Sequence, residues 1–125
     1  MKNSDIKGLD VLKGIAVVAG SKAIYLKLLK SFVNNGFCDK IIESVAAGDM
    51  EQIRHHAHSL KGVAGNMHMA ELYELSRRIE AAAKDGGSLT VADEVVVSLI
   101  DANRQTMDSV NMIIGDPTVL DTLQG

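Results

Sequence analysis

Aromatic residues are scarce in this 125-residue chain: there are two tyrosines, two phenylalanines and no tryptophan, alongside one cysteine and one proline. A sheet-built core draws on aromatic and β-branched side chains, whereas the Met, Leu, Ile, Val and Ala that are plentiful here suit helix packing. The lone Cys38 has no partner for an internal disulfide, so a disulfide framework is excluded and a reducing cytoplasm is the expected setting. No apolar run approaches the length of a bilayer span, and Met1-Lys2-Asn3-Ser4-Asp5 leads into no signal-peptide core. A net charge of −3 gives no support to a nucleic-acid partner. No Gly-x-x-x-x-Gly-Lys-Ser/Thr segment is present, which removes the usual cradle for ATP. These absences point to a soluble cytoplasmic protein with no membrane and no nucleic acid among its partners, and with a monomer as the default state.

With 46% hydrophobic residues, the chain is rich enough in apolar side chains to fold, and its length allows one domain with a single core. The core and the chemistry meet in Arg54 to Asn66. At about 100° per residue, Ile53, Leu60, Val63, Ala64 and Met67 fall on one side of a helix. Arg54, His55, His58, Lys61, Gly62 and Gly65 form a narrow stripe on the other. A helical glycine costs about 1 kcal/mol relative to alanine, so two glycines beside a histidine call for a reason beyond folding. Steric clearance for an approaching backbone or reacting group is that reason, with Lys61 as a cation one turn from His58.

The first eight residues lack apolar periodicity and are expected to be flexible. Asp10 is positioned to cap a short helix to Val18, closed by Gly20, and Ser21 to cap the next. Tyr25, Leu28, Leu29, Phe32 and Val33 recur at helical spacing until Asn34-Asn35-Gly36 breaks the pattern. Another helical segment runs from Phe37 to Gly48. Asp49 then caps the His58 helix, with Gln52 placed for a reciprocal capping box. Ala70 to Lys84 shows Leu72, Leu75, Ile79 and Ala82 on one face and Glu71, Glu74, Arg77, Arg78 and Glu80 on the other, which reads as a solvated face. Thr90, with Asp93 three residues on, opens a last helix whose stripe is Val95, Leu99, Ala102, Thr106, Val110 and Ile113. Gly115-Asp116-Pro117 ends it, leaving 115–125 as a flexible tail. The expected architecture is all-α: an antiparallel four-helix bundle over 9–114 with a short extra N-terminal helix, the segment around 37 to 47 extending it.

These residues match a known pattern. The chain resembles a histidine-containing phosphotransfer (HPt) domain, whose helical His-x-Leu-Lys-Gly signature stands here as His58-Ser59-Leu60-Lys61-Gly62, between Ala57 and the small residues Ala64 and Gly65. Tyr25-Leu26-Lys27-Leu28-Leu29-Lys30-Ser31-Phe32 is similar to the family's Tyr-x-x-Leu-Leu-x-x-Phe helix. Ala47-Gly48-Asp49 looks like the entry to its histidine helix, and Leu75 to Glu80 like its following helix. The resemblance covers roughly 9 to 85, and the last helix fits by length and position alone. It implies a phosphocarrier of a two-component multistep phosphorelay, with no enzyme activity or cofactor of its own. The carrier passes a phosphoryl group between aspartates of two receiver domains, one from a hybrid histidine kinase and one from a response regulator. His58 would be the phosphorylated residue, Lys61 the phosphoryl-stabilising cation, and Gly62 the space-making glycine, with Gly65 aiding clearance and docking. Arg54 and His55 would be docking contacts, and Mg2+ would come with the partner receiver. The same residues fit either a freestanding carrier or a module of a larger hybrid kinase. His56 departs from the pattern, since the family commonly has an apolar residue there.

A neutral imidazole nitrogen is nucleophilic near pH 7 and takes a phosphoryl group from an acyl phosphate, giving an adduct reactive enough to pass on. Two other readings use the same residues. His55, His56, His58 and His68 could hold a metal, although the Glu-x-x-His segments of metal-binding bundles are missing. A bundle that docks a receiver without accepting phosphate is the third.

Overall fold

The computed structural model describes all 125 residues as an all-α protein. Seven helices follow a short 3₁₀ turn at Asn3–Asp5: α1 (Val11–Val17), α2 (Lys22–Asn35), α3 (Phe37–Ala47), α4 (Met50–Asn66), α5 (Ala70–Lys84), α6 (Glu94–Gly115) and α7 (Val119–Thr122). No helix is long and apolar enough to cross a membrane.

Local chemistry sets most helix ends. The side chains of Asp10, Ser21 and Asp49 accept from the backbone N–H groups of Lys13, Ile24 and Gln52, which supplies partners for otherwise unpaired donors in the first turns of α1, α2 and α4. The cap at Asp49 is one-sided: its oxygen accepts from Gln52 N at 3.1 Å, without the reciprocal bond of a capping box. Gly36 and Gly48 are both left-handed, with φ of +57° and +68°, and terminate α2 and α3. The last helix starts later than its sequence suggests. Asp93 Oδ2 accepts from Thr90 N at 2.7 Å, so Thr90 lies in a turn and α6 begins at Glu94. Its buried stripe accordingly begins at Val96 rather than Val95.

Four helices make a closed ring of contacts: α3 touches α4, α4 touches α5, α5 touches α6, and α6 returns to α3. The segment expected to extend the bundle, 37–47, is therefore one of its walls, while α2 packs on α6. The single left-handed residue Gly36 lets the chain turn from α2 into α3 without a loop. Met67, His68 and Met69 reverse the chain from α4 to α5, which pack side by side. One continuous core contains Tyr25, Leu29, Ile41, Ile53, Leu60, Leu72, Ile79, Leu99 and Ile113. Cys38 lies in it as a free thiol whose pKa burial pushes up to about 12, which leaves it protonated and unreactive.

The two ends of the chain are packed rather than loose. Ile6, Leu9 and Leu120 are buried in the core, and Lys2 forms an isolated bridge with Gln124. Asn3 N donates to Gln124 O at 2.8 Å, and Lys22 Nζ pairs with Asp121 at 2.8 Å. The segment before α1 crosses α6, where Ser109 Oγ donates to Lys7 O at 2.7 Å. Gly8 makes that crossing possible, because a Cβ there would lie 2.3 Å from Thr106 Oγ1. Segments that each bury one or two apolar side chains carry no helical period, which is why their packing escaped a periodicity reading.

Candidate functional site

The stripe on α4 is exposed as its spacing predicts except at Lys61, whose side chain is only 27% exposed. Ile53, Ala57, Leu60 and Ala64 face the core, and Arg54, His55, His58, Gly62 and Gly65 face outward. Val63, expected in the core, is only partly buried. It lines an open groove of about 360 Å³ with Val17, Leu28, Phe32, Asn66 and Met67.

Glu80 of α5 joins the site across the helix interface. Its side chain is 5% exposed, and its two oxygens are both taken. Oε2 lies 2.7 Å from His58 Nδ1, and Oε1 accepts from Lys61 Nζ at 2.6 Å. Lys84 Nζ stands 3.7 Å from Oε2. Burial raises the Glu80 pKa, but the hydrogen bonds from Lys61 and His58, with the charges of Lys61 and Lys84, outweigh it and hold the carboxyl below its ordinary value. An ionised carboxylate only accepts, so Nδ1 carries the proton in this contact. The lone pair of a neutral His58 is then on Nε2, on a side chain that is 67% exposed.

The sequence expectation of a solvated polar face on α5 is therefore corrected at Glu80. It holds for Glu74, which pairs with Arg77 in solvent. The signal for Glu80 lies in its neighbours: Ser76 one turn before and Ala83 one turn after are both small and buried, so the row leaves room for a carboxylate against α4.

The other site residues separate by position. A methyl added at Gly62 would meet no atom within 4 Å, so that glycine answers to no packing requirement inside the protein. At Gly65 the same methyl would lie 3.4 Å from the Tyr73 ring, so a side chain from α5 already occupies part of that clearance. Arg54 and His55 are exposed on the stripe but stand outside the Glu80 network. His56 is partly buried, with its ring edge-on to that of His55 at 5.1 Å. Burial, then the charges of His55 and Lys40, lower its pKa against an opposing effect of Glu43. The four histidines do not converge, and no group of three or more His, Cys, Asp or Glu side chains is arranged to hold a metal ion.

A family model for the Hpt domain matches residues 29–109, well over half of the chain. The chain belongs to the Hpt domain family. The match enters within α2 and leaves within α6, so it spans the α4–α5 pair that builds the site. No curated protein and no solved structure matches. Hpt domains are helical phosphocarriers of phosphorelay signalling that interact with receiver domains and are not catalysts in their own right.

Proposed function

We propose that this Hpt domain carries a phosphoryl group on Nε2 of His58 between the aspartates of two receiver domains in a multistep phosphorelay. The observation that carries the reading is the contact between Glu80 and Nδ1, which leaves Nε2 as the outward lone-pair nitrogen. In the forward step, Nε2 attacks phosphorus of an aspartyl phosphate in line with the bond to be broken. The N–P bond forms, the P–O bond breaks, and its electron pair stays on the donor carboxylate. The ring gains positive charge, which Glu80 stabilises through Nδ1–H. In the second step an acceptor aspartate attacks the same phosphorus, and the N–P electron pair returns to the ring. The cationic ring makes a good leaving group, so one contact serves both directions.

Lys61, which shares the Glu80 carboxylate with His58, stabilises the negative charge on the phosphoryl oxygens. Gly62 keeps the approach to Nε2 open, and the docking face continues past Arg54 and His55 on one side and toward the exposed Val17 and Leu28 on the other. Mg2+ would come with the partner receiver, beside its acceptor aspartate.

Transfer of labelled phosphate from a phosphorylated receiver domain, run beside a His58→Gln variant, tests this function. Acid-labile, base-stable label on the wild type alone is the expected result. Receivers that bind without transferring label would replace the carrier by a docking module.

A further inference from the structure

The phosphorylated site, as drawn from the resting one, is short of positive charge. A phosphoryl group brings close to two negative charges, and Glu80 adds one beside it. Lys61 and the cationic ring of phosphorylated His58 supply only two positive charges between them. In the resting protein Lys61 spends its charge on Glu80, at 2.6 Å from Oε1. Turning its remaining donors to the phosphoryl oxygens weakens that hold on a carboxylate that is 5% exposed and poorly served by water.

Lys84 is the one further cation within ion-pair distance of Glu80. It sits one turn after Glu80 on α5, with Nζ 3.7 Å from Oε2, and its side chain is 53% exposed and free to move. At that distance it forms an ion pair but not yet a hydrogen bond. We propose that Lys84 is a positioning residue of the carrier: it closes on Glu80 when Lys61 turns to the phosphoryl group, and so keeps the carboxylate on Nδ1–H throughout the transfer. This assignment rests on the phosphocarrier reading of His58. It adds a cation from α5 whose work begins when the phosphoryl group arrives.

The full-length wild type, Lys84→Ala and Lys84→Arg are treated with phosphoramidate as phosphodonor, phosphohistidine is followed by 31P NMR, and thermal unfolding of each unphosphorylated protein is measured alongside. Lys84→Ala is expected to gain the phosphoryl group about three- to fivefold more slowly. Lys84→Arg should stay within about twofold of wild type, and the three unfolding midpoints within about 2 °C of one another. A wild-type rate in Lys84→Ala overturns the assignment. So does a Lys84→Arg protein as slow as Lys84→Ala, or a slowing matched by lost stability. In the wild type, the Lys84 ammonium resonance should move on phosphorylation, and a stationary resonance counts against the assignment. Absence of a phosphohistidine signal that depends on His58, checked with His58→Gln, would instead overturn the phosphocarrier reading itself and the role of Lys84 with it.

Discussion

Glu74 and Glu80 are two glutamates of one helix, both ion-paired and both with lowered pKa values, yet they do different work. Glu74 bonds to Arg77 on its own helix, in solvent, through Arg77 Nε at 2.9 Å. Glu80 is buried and bonds across to α4, holding His58 and Lys61 by separate oxygens. A surface pair within one turn is screened by water and contributes little. A carboxylate enclosed between two helices sets which ring nitrogen faces outward. The neighbouring helix, and not the residue type, separates a solubility feature from a part of the site.

Substituting each glutamate breaks the comparison most sharply. Glu80→Ala should slow phosphoryl acceptance on the order of tenfold to a hundredfold, as for carboxylates that orient metal-bound histidines. It should also lower stability by about 1–3 kcal/mol through lost charged hydrogen bonds. Glu74→Ala should leave transfer within about twofold of wild type. Equal effects of the two changes, read by single-turnover transfer and denaturant unfolding, would remove the distinction.

Glycines offer a second contrast of the same kind. A Cβ at Gly14 would lie 2.6 Å from the Tyr25 ring, whereas one at Gly62 meets nothing. Gly14→Ala should therefore destabilise the fold by about 1–3 kcal/mol. Gly62→Ala should stabilise it by up to about 1 kcal/mol, as expected for an exposed helix interior. Gly62→Gln should keep the fold but slow transfer from a receiver. Thermal melts paired with transfer assays read both halves.

How much of this was legible in the sequence follows the range of the forces involved. Asp10, Ser21 and Asp49 act on backbone groups three residues away, and Gly36 and Gly48 on their own φ, so those boundaries could be read locally. The His58 stripe was legible because a helix repeats its faces. The role of Glu80 depends on the packing of α4 against α5, which no single-helix wheel contains. The packed ends were missed for the same reason, since Ile6 and Leu120 are buried by contacts between distant parts of the chain. The match to the Hpt domain family adds the phosphocarrier context without by itself assigning these side-chain contacts.

The smallest expected effect is in pH dependence. His56 and Glu80 both have folded pKa values below their ordinary 6.5 and 4.5. In each window the unfolded chain binds more protons than the folded one, so acid favours unfolding. Stability should begin to fall below about pH 6.5 as the partly buried His56 is forced to charge beside His55 and Lys40, with Glu43 opposing, and fall again below about pH 4.5 as Glu80 loses its charge against His58, Lys61 and Lys84. His56→Gln should remove the first decline and leave the second, in denaturant midpoints taken across about pH 2.5 to 8. A first decline that survives the substitution would assign it elsewhere.

The most direct test of the site is the identity of the phosphorylated nitrogen. The measurement is 15N and 31P NMR of the phosphorylated protein with labelled histidine. The expected result is a one-bond coupling between phosphorus and Nε2 of His58, with Nδ1 still carrying its proton beside Glu80. Phosphorus on Nδ1, or on His55, His56 or His68, would contradict the role given to Glu80.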